Sequence, residues 1–143
     1  MINTLKRLIG SAPSQLPRNR DLGKMAFMDS PSSTGPLGYT KGAGSTVTQA
    51  TSRTTGVTIN ALTGQITLFS AAGSTTYASF TVTNSQVAAT DVVVVNQTTG
   101  TDLYEAFVTK VSAGSFVITF ATTGGTTTEA PVFNFIVIKG AAS

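Results

Sequence analysis

Past residue 44 the chain alternates. Val57 and Ile59 are separated by Thr58. Thr63-Gly64 supplies a turn signal, and Ile66 and Leu68 then alternate with Gln65 and Thr67. A repeat of two is the period of a pleated strand with one apolar and one polar face. The same rhythm returns over Tyr77–Thr83, where Ala78, Phe80 and Val82 oppose Ser79, Thr81 and Thr83. It returns again over Leu103–Val111, where Tyr104, Ala106 and Val108 oppose Glu105 and Phe107, and over Ser115–Ala121, which sets Phe116, Ile118 and Phe120 on one side. Val92–Val95 is apolar throughout and reads as a strand covered on both faces. Turn residues around Gly100, Ser112–Gly114 and Gly124-Gly125 separate these runs. The spacing predicts about eight short strands in an all-β, jelly-roll-like antiparallel sandwich. Phe80, Val93, Phe116, Ile118, Phe120, Ile136 and Ile138 are its expected core.

The last run, Pro131–Lys139, is apolar on both sides. Val132, Ile136 and Ile138 point one way; Phe133, Phe135 and Val137 point the other. A strand of that kind needs cover on both faces. Either it lies between two layers, or its second face meets another subunit. On the second reading Phe133, Phe135 and Val137 are the oligomer-interface candidates of a homo-oligomer.

Residues 1–44 follow no such pattern. Ile2, Leu5, Leu8 and Ile9 recur at helical spacing, so a short helix over 3–9 is expected, marginal without a partner surface. Four of the five prolines (Pro13, Pro17, Pro31 and Pro36) then break any continuous helix or central strand. The predicted organisation is an extended, largely irregular N-terminal arm over 1–44 and a β-sandwich domain over 45–143.

Charge sharpens that division. The arm holds six Lys or Arg against two Asp, a net +4; the remainder holds three against four, a net −1. Charged residues make up 10% of the chain, against roughly 25% in an average soluble domain. Solubility therefore rests on Thr, Ser, Asn and Gly. A cationic arm can meet an acidic protein surface or nucleic acid, or simply be a solvated tail.

The composition also removes chemistry. The chain has no Cys and no His, which excludes disulfides, thiolate ligands, a cysteine nucleophile and the commonest general base. The six acidic residues are scattered and form no calcium-loop spacing. Asp102 and Glu105 are the nearest approach to a carboxylate pair, but three apart in a strand they face opposite sides, and Asp102 suits the Gly100 turn. Asp91 is likewise read as a turn residue. Gly124-Gly125 has neither the Lys nor the following helix of a phosphate loop. No cofactor is implied and no enzymatic activity is expected. Aromatics interleave with β-branched residues rather than with Lys or Arg, so a nucleic-acid platform is not expected either. No apolar run reaches the ~18 residues of a membrane span, and Ile2–Ile9 is too short for a secretion signal.

One segment of the arm carries a resemblance. Asn19-Arg20-Asp21-Leu22-Gly23-Lys24-Met25-Ala26-Phe27-Met28-Asp29 fits an N-x-D-L-G-x-x-A-F-x-D pattern. That pattern resembles the adaptor segment of tailed-bacteriophage fibre and appendage proteins. The stretches TSRTTGVTINALTGQITLF, TVTNSQVAATDVVVVN and FIVIKGA are similar to a small β-domain of phage structural proteins. The resemblance implies a virion structural protein, made in the bacterial cytoplasm and exposed on the outer surface of the particle. A capsid decoration, or cement, protein suits the chain's length, with a trimer as the implied assembly. Its arm would bind the major capsid protein or another virion protein through Leu5, Arg7, Leu8, Ile9, Arg18, Arg20, Leu22, Met25, Phe27 and Tyr39. The alternative is a fibre or tail-appendage subunit whose β-domain touches a host-surface glycan.

Overall fold

The structure is a computed structural model that describes residues 38, 39 and 41–141. The chain divides into two units, 1–40 and 41–143; the architecture below is that of the second. The predicted helix over 3–9 and nearly all of the expected arm lie outside the described residues.

Ten strands follow one another, and no helix occurs among the described residues. They are β1 (Gly44–Thr48), β2 (Val57–Thr58), β3 (Thr63–Thr67), β4 (Ala71–Ala72), β5 (Ala78–Thr83), β6 (Val92–Thr99), β7 (Tyr104–Ser112), β8 (Ser115–Thr122), β9 (Thr128–Glu129) and β10 (Val132–Ile138). The first sheet has the order β1-β3-β10-β6 and the second β2-β5-β8-β7, while β4 and β9 form a separate ribbon. Inward-facing residues of the two large sheets share one core, so the domain is an all-β, sandwich-like fold.

The sheets are mixed where an antiparallel sandwich was expected. β1 runs parallel to β3, and β2 parallel to β5. Parallel neighbours need a crossover between them. Here the other sheet supplies it: β2 lies between β1 and β3 in the chain yet belongs to the second sheet. Within the large sheets only β7 and β8 are consecutive neighbours. Their two-residue turn, Ala113-Gly114, places Gly114 at φ +79°, a conformation suited to glycine.

Aromatic contacts tie the layers together. Phe133 of β10 meets Phe120 of β8 edge-on at 5.6 Å and Tyr104 of β7 at 5.8 Å. Phe135 meets Phe116 at 5.2 Å. Offset and edge-on rings of this kind add to the ~1.5–3 kcal/mol gained by burying each large side chain.

These contacts correct the expectation for β10. Phe133, Phe135 and Val137 are the inner face, at 0%, 2% and 0% exposure, so they are closed to another subunit. Ile136 is half-buried and Ile138 exposed, so neither joins the core as expected. The inter-sheet space is lined by Phe116, Phe120 and Tyr104, and three bulky inward residues from β10 fill it. The run Val92–Val95 is corrected in the same way. Val93 is buried and Val95 half-buried, whereas Val92 and Val94 face out. The rest of the predicted core (Phe80, Val93, Phe116, Ile118 and Phe120) is buried.

Candidate functional site

The outer face of the second sheet is polar by its alternation, and it carries two aromatic residues. Tyr77 immediately precedes β5 and shares the outward side of Ser79 and Thr81; Phe107 shares the outward side of Glu105 on β7. Both are exposed, at 53% and 42%. Their rings lie 5.6 Å apart, tilted by 54°.

Tyr77 is held in place. Its phenol donates a 2.6 Å hydrogen bond to Glu105 Oε2. Because β8 runs between β5 and β7, that bond has to span the central strand. Ala121 makes this possible: it pairs with Glu105, is small, and is itself buried. The bond to the Glu105 carboxylate, then burial and the nearby negative charge, push the Tyr77 hydroxyl above its ordinary pKa, so it stays a donor at neutral pH. In the next row the Thr119 hydroxyl is 2.8 Å from those of Ser79 and Thr109. The rings therefore stand on a surface whose polar groups already bond one another.

Two depressions adjoin the rings. A pocket of about 280 Å³ opens beside Tyr77, Ser74 and Thr76 and leads inward to Ala78, Phe120, Tyr104 and Arg53. A groove of about 550 Å³ lies on the Phe107 side, between the edges of the two sheets, lined by Asn96, Gln97, Leu103, Glu105 and Phe107. Gln97 is fixed in the wall of that groove. Its amide donates to the Asp102 carbonyl at 2.8 Å and accepts from the Tyr104 N–H at 2.9 Å.

The pocket wall is a polar knot around Arg53. The guanidinium donates to the carbonyls of Phe69 (3.1 Å), Ala72 (3.3 Å) and Glu129 (2.7 Å), to that of Ala71, and to the Tyr104 hydroxyl at 2.9 Å. It also lies 5.5 Å from the Tyr104 ring centre. Burial raises the Tyr104 pKa, partly opposed by Arg53. Burial would also raise that of Glu129, but the N–H groups of Thr101 and Asp102 and the Tyr104 hydroxyl outweigh it and hold the carboxyl low.

The acidic residues are committed to the fold. Asp102 is buried in the bend after Gly100, yet its carboxylate accepts from the distant Thr127 N–H at 2.8 Å and so ties that bend to the loop before β9. Gly125 packs so tightly on it that a Cβ there would sit 2.2 Å from Asp102 Cγ. Glu105 is exposed and engaged by Tyr77, so Asp102 and Glu105 have separate tasks. Asp91, read as a turn residue, accepts from Ala88 N–H (2.8 Å), Gly140 N–H (3.0 Å) and Lys139 Nζ (2.5 Å). Among the described residues no cluster of three acidic side chains is placed to hold a metal ion, and no helix is long and apolar enough to cross a membrane.

Of the expected arm contacts, Leu5, Arg7, Leu8, Ile9, Arg18, Arg20, Leu22, Met25 and Phe27 lie outside the described residues. Tyr39 is half-buried. The Tyr77–Phe107 pair was missed by the sequence reading. The available signal was an aromatic at a position whose strand neighbours of the same parity are Ser, Thr or Glu. A second outward surface was also missed. On the first sheet, Val92 pairs with Ile138 and Val94 with Ile136, which sets four aliphatic side chains together on the outer face. No protein-family profile, no curated protein and no solved structure matches the chain.

Proposed function

We propose that the chain is a non-enzymatic structural protein of a tailed-bacteriophage virion: a capsid decoration protein whose arm grips the head shell and whose sandwich faces outward. The observation that carries this reading is the N-x-D-L-G-x-x-A-F-x-D segment at Asn19–Asp29, placed ahead of a charge-poor β-domain. Three features of the domain support it. Its acidic side chains serve turns and side-chain anchors. Among the described residues its core is one continuous cluster drawn from both large sheets. The outer face of its first sheet carries an aliphatic cluster that a larger assembly can cover, with a trimer as the proposed state.

A jelly-roll-like wiring belongs to the same proposal. The chain passes from one large sheet to the other at every connection between their strands except β7–β8, the behaviour that rolls a chain around a sandwich. An arm laid across neighbouring capsid subunits buries area on each. That burial, with Arg and Lys contacts to acidic capsid surface, offsets the entropy lost on ordering. The test is co-sedimentation with undecorated particles. The full chain binds them, whereas a chain lacking residues 1–30 keeps its circular dichroism spectrum and stays in the supernatant. Binding by the truncated chain would refute the arm's role.

The Tyr77–Phe107 pair favours a second reading, a fibre or tail-appendage subunit that touches the host surface. Copy number per particle separates the two. Stoichiometry matching the capsid lattice means decoration; stoichiometry matching the few appendages means the second.

A further inference from the structure

We infer that the outer face of the second sheet is a binding site for an uncharged polysaccharide, with Tyr77 and Phe107 as the stacking platform. The inference deepens the outward-facing part of the reading above and rests on it for where the sugar is met, but not for the binding itself.

A pyranose ring presents two kinds of surface. Its faces are patches of C–H groups, and its rim is a ring of hydroxyls. A matching site needs an aromatic face that is exposed, fixed in orientation and surrounded by hydrogen-bonding groups. Tyr77 has all three properties. About half of it is open to solvent. Its orientation is set at one end by the backbone before β5 and at the other by the bond to Glu105, so little freedom remains to be lost on binding. Phe107, tilted 54° beside it, turns the platform into a shallow trough.

The rim groups are in place as well. Ser74 and Thr76 line the pocket on one side of Tyr77. Asn96, Gln97 and the Glu105 carboxylate line the groove beside Phe107. The groove between the sheet edges adjoins the Phe107 side of the trough and extends it, so the site suits a chain of several sugar units rather than a single one.

Charge selects the class of ligand. The flanking depressions hold one cation, Arg53, and one anion, Glu105. Arg53 is already saturated by four carbonyls and a phenol. Glu105 keeps its second oxygen for sugar hydroxyls, and its charge repels carboxylated or sulfated chains and the phosphates of nucleic acid. Single-stranded nucleic acid platforms pair their aromatics with a cationic groove, whereas this face sets one exposed cation, Lys110 opposite Val117, against the Glu105 carboxylate. The two rings also differ from the four aliphatic side chains on the opposite outer face, which carry no π surface for a sugar to stack on.

The experiment uses the full chain and saturation-transfer NMR, followed by calorimetry. The probes are neutral hexasaccharides with gluco, galacto, manno and N-acetylhexosamine backbones, in α and β linkage, with a uronic acid oligomer as the charged comparison. At least one neutral probe is expected to receive transfer at its C–H protons, and the uronic acid oligomer none. Tyr77→Ala and Phe107→Ala should each weaken binding at least about tenfold while leaving the melting temperature nearly unchanged. Tyr77→Phe keeps the ring and loses its anchor, and should weaken binding by a smaller factor, which also guards against a misfolded alanine variant. Silence from every neutral probe overturns the inference, as does affinity untouched by Tyr77→Ala or a preference for the uronic acid. Loss of self-association in Tyr77→Ala without sugar binding also overturns it, and reassigns the face to a second copy of the chain. Particle co-sedimentation is unaffected by these outcomes, so failure here and failure of the virion reading are separable.

Discussion

The two outer faces of the sandwich solve different problems. On the first sheet, Val92, Val94, Ile136 and Ile138 form an aliphatic cluster whose side chains carry no polar group. Such a cluster gains from any apolar cover, and the hydrogen-bonding side chains nearest to it, Asn96 and Asn134, stand in the next row rather than within it. On the second sheet, Tyr77 and Phe107 stand among Glu105, Ser79, Thr109 and Thr119, and the tyrosine is tied down by a carboxylate. That surface offers less aliphatic area and more direction. Two sheets of equal strand number thus present one face suited to non-directional burial and one suited to recognition. The difference comes from a few outward positions, not from the fold.

The largest expected effect separates both outer faces from the core they share. Phe133→Ala empties the inter-sheet space beside Phe120 and Tyr104 and should cost about 3–5 kcal/mol in urea unfolding. Ile138→Ser, on the other side of the same strand, should cost less than about 0.5 kcal/mol in the isolated chain. Equal losses would mean that the two faces of β10 are not distinct.

Next comes the wall of the second sheet's pocket. Arg53→Met strips the carbonyls of Phe69, Ala71, Ala72 and Glu129 of a shared donor, and should destabilise by about 3 kcal/mol. Amide exchange should quicken first in β4 and β9, whose pairing those bonds support. A neutral outcome would make this wall as dispensable as the aliphatic cluster is expected to be.

The smallest effect lies at the end of the first sheet, where Lys139 follows β10. Burial alone would raise the Asp91 carboxyl. The N–H of Ala88, the Lys139 ammonium and the N–H of Gly140 outweigh it and hold the carboxyl below its ordinary range. A carboxyl depressed by folding contributes stability that is complete above its unfolded value and is lost as pH falls through its folded value. Glu129 acts in the same direction. Urea midpoints measured from neutral pH to below the ordinary carboxylate range should therefore fall on the acid side, and Asp91→Asn should make that fall shallower without removing it. An unchanged acid limb in Asp91→Asn would show that the Lys139 contact contributes nothing to folding.

Much of the architecture was legible along the chain. Period-two alternation placed Phe80 and Val82 inside and Ser79 and Thr81 outside, and it did the same for Phe116, Ile118 and Phe120. It succeeded there because one face is apolar and the other is not. Asp91 was legible as a turn residue because a short carboxylate satisfies a nearby N–H, that of Ala88, whereas the bond from Asp102 to Thr127 was not. The candidate site was half legible. The odd aromatics stand out by parity, but the reach of Tyr77 across β8 depends on Ala121, more than forty residues away.

By itself, then, the sequence determined the strand class, the polar surface without catalytic histidine or cysteine, and the break in charge near residue 44. Each is a local or summed property that needs no partner. Tertiary structure alone decided which side of β10 is the core, where Val92 and Val94 point, and that β1 and β2 lie parallel to their neighbours. It also brought Arg53 to the β4–β9 ribbon and Tyr77 to Glu105. The reason is physical: a strand apolar on both faces carries no preference of its own, and the choice falls to the opposing sheet. A polar bond between distant residues likewise has no period to betray it.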